Sequence, residues 1–187
     1  MKPHTFVVTV EDEPGVLTRV ASLFRRRGYN ITSLNVGQTE RPGISRMTVV
    51  VLTDDDGARR VEANLYKLVQ VISVADVTGS PAVFRDLAMI KVAATQACRP
   101  GIMHLVHVFR ARVIDLSPDT ITIEITGTED KIDGLVEVLR PYGVLEMVRT
   151  GRVAMARGAR APGRESDVAS LVRDVEDDAD AGVSFSV

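Results

Sequence analysis

The sequence predicts an α+β protein made of two consecutive units, each with the element order βαββαβ. Short runs rich in β-branched residues alternate with segments whose apolar residues recur at helical spacing. That order occurs twice along the 187 residues, a length that accommodates two small domains. Each unit is therefore expected to pack as an antiparallel sheet with two helices on one face, the ferredoxin-like sandwich.

The first unit is expected to cover residues 1–79, with strands at 5–10, 31–39, 44–52 and 69–78. Its first helix follows the turn Asp12–Gly15 and ends before Gly28, since glycine suits the left-handed residue that closes a helix. The residues expected to face the core share one helical stripe in each helix. They are Val16, Leu17, Val20, Ala21 and Phe24 in the first helix, and Ala58, Val61, Leu65 and Leu68 in the second.

The second unit is expected to cover residues 80–157, after a Gly-Ser-Pro boundary at residues 79–81. Strands are predicted at 83–95, 112–116, 120–126 and 144–154, with a helix at 130–141 and another after Pro100. The inward residues are Ile102, Leu105, Val106 and Phe109 in the earlier helix, and Ile132, Leu135, Val136 and Leu139 in the later one. The second unit thus repeats the order of the first without obvious sequence repetition.

Residues 158–187 differ in composition from the rest of the chain. They contain three Arg against seven Asp and Glu, a net charge of -4 by count. Residues 166–175 have the apolar spacing of a short helix. Because nothing else in the segment suggests a packed domain, we expect an acidic and mobile tail.

Composition argues against several classes of partner. The net charge is -2 with 26% charged residues, which calls for neither nucleic acid nor an anionic membrane. Aromatic residues make up 4% and there is no Trp, so few side chains are suited to stacking on bases. No apolar run reaches membrane-spanning length, and the first residues lack a signal-peptide pattern. The one cysteine suits a reducing compartment, so a cytoplasmic protein is expected.

Catalytic and metal-binding motifs are not evident. The sequence contains no glycine-rich phosphate loop, no H-E-x-x-H motif and no cysteine pair. Cys98, His104 and His107 resemble metal ligands because the two histidines lie three residues apart on a predicted helix. The set lacks a convincing fourth ligand, so a buried cysteine with two surface or packing histidines is preferred.

The turn before the first helix has the character of a small-ligand site. A helix N-terminus presents unpaired N–H groups that attract a carboxylate, and Gly15 would let a ligand approach the backbone closely. Asp12 can accept from an ammonium group, and Asn30 can both donate and accept. Each residue also has a simpler interpretation, since Asp12 suits a helix cap, Gly15 a turn and Asn30 the start of a strand.

A longer stretch carries a family resemblance. Residues 10–40, VEDEPGVLTRVASLFRRRGYNITSLNVGQTE, are followed by S-R-M-T at residues 45–48. Together they resemble the small regulatory subunit of acetolactate synthase (acetohydroxyacid synthase), whereas the D-x-P-G-V-L turn alone resembles ACT domains in general. The resemblance extends over residues 1–157. It implies an N-terminal ACT domain, which binds an effector, and a C-terminal ferredoxin-like domain.

The resemblance also implies a function and a partner. The small subunit would have no chemistry and no cofactor of its own. Its partner would be the large catalytic subunit, which carries thiamine diphosphate, magnesium and usually FAD. The small subunit would raise that activity and make it sensitive to the end product of branched-chain amino acid biosynthesis, normally valine.

The implied effector site lies between two ACT domains of a homodimer paired edge to edge. Gly15 and its neighbouring N–H groups would take the effector carboxylate. Asp12 of one chain would hold the ammonium together with Asn30 of the same chain or of the partner chain. The aliphatic side chain would be bordered by Val16, Leu17 and Ile31. Some family members have Asn where this chain has Asp12. The Asp12 carboxylate can accept a hydrogen bond from an ammonium as that amide can, but it cannot donate one.

Two other functions stay open at this point. One is a free-standing ACT-domain sensor that acts, for example, on transcription, although no DNA-binding motif is evident. The other is a small metabolic enzyme on the same fold, although no acid, base or nucleophile set is evident. Co-purification with a large thiamine-dependent subunit would separate the regulatory subunit from both.

Overall fold

The computed structural model describes residues 1–158, which form two units of the predicted kind. The first unit contains one antiparallel sheet with strand order β2-β3-β1-β4 and two helices. The confirmed order βαββαβ consists of β1 (Lys2–Glu11), α1 (Val16–Arg26), β2 (Ile31–Gln38), β3 (Ile44–Thr53), α2 (Asp55–Leu65) and β4 (Val71–Asp76).

The second unit repeats this arrangement with strand order β6-β7-β5-β8. Its ferredoxin-like fold is likewise confirmed. Its elements are β5 (Ala82–Ala93), α3 (Arg99–Val108), β6 (Arg112–Leu116), β7 (Thr120–Gly127), α4 (Glu129–Leu139), a 3-10 turn (Arg140–Tyr142), β8 (Val144–Arg149) and β9 (Val153–Ala156).

Each unit has its own hydrophobic core between sheet and helices. In the second unit, Ile102, Ile132 and Leu135 are fully buried as predicted. In the first unit, the predicted inward face of α1 is partly wrong. Leu17 is 43% exposed and Ala21 is also exposed, and Leu23 is buried in their place. The buried stripe of α1 is Val16, Val20, Leu23 and Phe24.

The predicted closing strand at 144–154 is also wrong, because it is two strands. β8 ends at Arg149 and β9 begins at Val153, with residues 150–152 between them. Both strands pair with β5, β8 along its second half and β9 along its first four residues. The break lets β9 pair with the first part of β5 and contact the first unit through Ala154.

A third apolar cluster joins the two units on the open face of the first sheet, which carries no helix. Val7, Val77 and Ala154 are buried there, with Ala75, Ala82 and Phe84 packed against them. The guanidinium of Arg46 on β3 crosses to the same region and donates to the Ala154 carbonyl at 2.7 Å. Burial lowers the pKa of Arg46 although Glu40 opposes that effect. We call this contact region the seam.

The expected tail, residues 158–187, lies outside the described residues except for its first residue, and so does the short helix predicted at 166–175. Among residues 1–158, the longest helices have eleven residues, and none is long and apolar enough to cross a membrane.

Candidate effector site

The turn between β1 and α1 presents an uncapped helix N-terminus to solvent. Gly15 has φ 88° and ψ -8°, a left-handed conformation that favours glycine. No side chain caps α1, and the turn closes only through a 3.4 Å bond from the Val16 N–H to the Glu13 carbonyl. A Cβ added at Gly15 would meet no heavy atom within 4 Å, so the approach to these N–H groups is open.

Asp12 lies exposed at the start of this turn and is held by the hairpin between β2 and β3. Its backbone N–H donates to the Gly43 carbonyl at 2.8 Å. The side-chain amide of Gln38, the last residue of β2, donates from Nε2 to Asp12 Oδ2 at 3.2 Å. Gln38 was not predicted as a site residue, because its contact with Asp12 spans 26 positions and depends on strand register.

Asn30 and Ile31 lie at the other end of α1 from Gly15. The helix between them has eleven residues and therefore a length of about 16 Å. Asn30 is exposed just before β2, and Ile31 is half-buried against the first core. A single chain thus brings Asp12 and Gly15 together but keeps Asn30 away from them.

The apolar residues assigned to the site differ in exposure. Val16 is 4% exposed and belongs to the core beneath the turn, whereas Leu17 is 43% exposed beside it. Val36 on β2 is 40% exposed. Because β2 pairs only with β3, no strand pairs with its other edge among the described residues, although Gly151 of the second unit comes close to the backbone at Leu34. Free backbone groups along a strand of eight residues can pair with another strand.

The seam continues to β2, where a cavity of about 570 Å³ lies between the units and is lined in part by Ser33, Leu34 and Gly151. Its charged side chains are already paired, since Arg149 donates to Asp86 at 2.7 Å and Arg152 donates to Glu129 at 2.6 Å. Burial lowers the pKa of Arg149, but Asp86 and then Asp133 outweigh this effect and raise the pKa above its usual value. Asp86 is 7% exposed, so this pair fixes β8 to β5.

The candidate metal ligands Cys98, His104 and His107 do not form a cluster. Cys98 is half-buried before α3 and its thiol lies 3.3 Å from the Thr95 hydroxyl. His104 and His107 are exposed on α3. Within residues 1–158, no three His, Cys, Asp or Glu side chains are placed to share a metal ion.

Two protein-family models match this chain. The model of the acetohydroxyacid synthase small subunit-like ACT domain matches residues 6–73, which fall within the first unit. The model described as the small subunit of acetolactate synthase matches residues 85–158, which fall within the second. The two matches therefore agree with the two cores of the structure.

Similar proteins cover nearly all of the described residues. A probable acetolactate synthase small subunit from Archaeoglobus fulgidus is 50% identical over 155 residues, covering 83% of this chain and 97% of that protein. An acetolactate synthase small subunit from Mycolicibacterium smegmatis is 47% identical over 160 residues, covering 86% and 94%.

A solved structure agrees with both units at once. The crystal structure of the acetolactate synthase small subunit from Thermotoga maritima has a TM-score of 0.80 and 39% identity, over 86% of this chain and 100% of that chain. Identity at this level across both units, together with the two family models, shows that the chain belongs to the acetolactate synthase small-subunit family, whose ACT domain implies a regulatory role in branched-chain amino acid biosynthesis.

Proposed function

We propose that this protein stimulates the large catalytic subunit of acetolactate synthase and makes it sensitive to feedback inhibition by valine. The observation that carries the proposal is the exposed, uncapped N-terminus of α1 at Gly15, beside the Asp12 carboxylate and inside an ACT domain. An anion-binding helix end next to an acceptor for an ammonium group suits a free amino acid.

A homodimer through the free edges of β2 would complete this site. If two copies of β2 pair antiparallel about Asn35, residues on the same face of the sheet lie opposite one another. The bulge between Ile31 and Ser33 then brings the partner's Ile31 opposite Gln38. Gln38 contacts Asp12, so the partner's Asn30 arrives beside the turn that holds Gly15. This pairing brings together the two ends of α1 that a single chain keeps apart.

Each residue then has a defined role in the proposed site. The N–H groups after Gly15 take the effector carboxylate, and Asp12 with the partner's Asn30 holds the ammonium. The exposed Leu17 and the partner's Ile31 border the aliphatic side chain. Val16 lies beneath the turn and supports it as part of the core.

The chemistry of the holoenzyme would belong to the partner subunit. Thiamine diphosphate, magnesium and FAD are expected there, and this chain would bind only the amino-acid effector. We assign residues 1–79 to the ACT domain, residues 80–157 to the C-terminal domain and residues 158–187 to a separate tail. The complex would act in the cytoplasm.

Reconstitution tests this proposal. The purified chain alone should form no acetolactate from pyruvate. Added to its matching catalytic subunit, it should raise the rate and introduce inhibition by valine, with co-purification of the two chains as a second readout. Turnover by the chain alone would contradict the proposal. So would a catalytic subunit that neither binds the chain nor responds to it, an outcome that would favour an ACT-domain sensor with another partner.

A further inference from the structure

The contact between Gln38 and Asp12 is fixed by the backbone on both sides. On one side, the Asp12 N–H is bonded to the Gly43 carbonyl. On the other, the hairpin is closed by the Thr39 N–H, bonded to the Ile44 carbonyl at 3.0 Å, and by the Thr39 hydroxyl, which donates to the same oxygen at 3.1 Å. The β1–α1 turn and the β2–β3 hairpin therefore hold the two side chains next to each other.

The two side chains have complementary hydrogen-bonding capacities. An ionised Asp12 can only accept, so by itself it suits the ammonium group of an amino acid and repels the carboxylate. The Gln38 amide has two N–H groups and one carbonyl oxygen. One N–H donates to Asp12, and Gln38 makes no other side-chain hydrogen bond among residues 1–158.

We propose that Gln38 is a positioning and specificity residue of the effector site, an inference that rests on the function proposed above. One N–H of its amide orients the Asp12 carboxylate toward the effector ammonium. The other donates to the effector carboxylate. In this chain Asp12 therefore supplies the hydrogen-bond acceptor and Gln38 supplies the donor. An Asn side chain at position 12 would supply both.

This arrangement selects a class of ligand. An α-amino acid satisfies both members of the pair, because its ammonium and carboxylate are separated by one carbon. A 2-oxo acid of the same carbon skeleton lacks the ammonium and would leave the Asp12 carboxylate facing a second carboxylate. The pair therefore favours the zwitterion and discriminates against the oxo acid, since like charges at close range repel.

Calorimetric valine binding to the full chain tests the role of Gln38. Gln38→Ala should weaken valine binding about tenfold, the expected effect of losing a hydrogen bond to a charged group. Gln38→Glu should weaken it further near neutral pH, because a carboxylate cannot donate and repels Asp12. Gln96→Ala, at an exposed glutamine in the second unit, is the matched control and should bind as the wild type does.

A double-mutant cycle separates a contact with the effector from a structural effect. In an Asp12→Asn background, Gln38→Ala should cost much less affinity, because the new amide supplies its own donor. Equal losses in both backgrounds, or unchanged binding by Gln38→Ala, would overturn this inference while leaving the proposed site intact. If the wild-type chain binds no valine, the proposed site is wrong and this inference is overturned with it.

Discussion

Gly15→Asp should abolish the valine response of the reconstituted enzyme while most of the stimulation remains. The new carboxylate would stand at the N-terminus of α1, where it occupies the N–H groups that the effector carboxylate needs and repels that carboxylate. Loss of one charge-assisted contact is worth about 1.5–3 kcal/mol. An allosteric coupling is typically about 1–3 kcal/mol, so this loss is sufficient to remove the response.

The backbone at Gly15 requires a careful control for this variant. Because φ is 88°, any side chain there is strained, even though the surrounding space is open. Gly15→Asn carries nearly the same strain and shape without the charge, and Asn tolerates this conformation comparatively well. Valine inhibition curves and thermal unfolding of both variants are the measurements. We expect a markedly weaker valine response in Gly15→Asp than in Gly15→Asn at similar stability. Unchanged valine affinity in Gly15→Asp would show that the site is misplaced.

Gly151→Ala should destabilise the seam between the two units. A Cβ at this position would stand 2.6 Å from the Leu34 carbonyl carbon and 3.1 Å from the Asn35 nitrogen. These are backbone atoms of β2, so no side chain can rotate away to make room. The segment of residues 150–152 must therefore shift. The Arg152 N–H, which donates to Ser33 Oγ at 2.8 Å, would move with it. Overpacking of this kind costs about 1–3 kcal/mol, and each kcal/mol lowers Tm by roughly 2–4 °C in a chain of this size.

Gly79→Ala is the matched control for the seam variant. Gly79 lies between β4 and β5, in the segment that links the two units, and an added Cβ there meets nothing within 4 Å. Calorimetric unfolding should therefore place Gly79→Ala close to the wild type and Gly151→Ala clearly below it. Equal melting temperatures for the two variants would mean that the second unit does not rest on β2 in solution.

The order of elements was predictable because it depends on local patterns. Alternating apolar periodicity and turn residues place each strand and helix within a few positions. The buried side of α1 was harder to predict from the sequence, since Leu17 and Ala21 lie only one position from the buried stripe. Which side of a helix is covered depends on where the helix lies over the sheet, and that is a tertiary property.

The break between β8 and β9 is marked in the sequence by Gly151. Gly151 interrupts a strand-like run, and an isolated glycine in such a run marks a bulge or a close approach of another backbone. The structure shows the close approach, to Leu34 of β2. The partner of that approach could not be read from the sequence, because residues 34 and 151 meet only when the two units pack.

The candidate site was predictable in part for a similar reason. Asp12 and Gly15 share one turn, so local pattern sufficed to identify them. Gln38 reaches that turn through the register of β2 on β3, which pairs Gln38 with Ser45. Asn30 was predicted from its hydrogen-bonding capacity and from the resemblance, and α1, which was also predicted, separates it from Gly15 within one chain.

The most direct test of the account uses a dimer with a different defect in each chain. One chain carries Gly15→Asp and the other Asn30→Ala, and doubly tagged heterodimers are purified through both tags. If each effector lies between Gly15 of one chain and Asn30 of the other, both defects fall in one site and the second site is intact.

Calorimetry at valine concentrations that leave both homodimeric variants unoccupied should detect about one valine per heterodimer, against about two per wild-type dimer. That result would establish a site shared between two copies of this chain. Heterodimers that bind no valine, under conditions in which the wild-type dimer is saturated, would contradict the account.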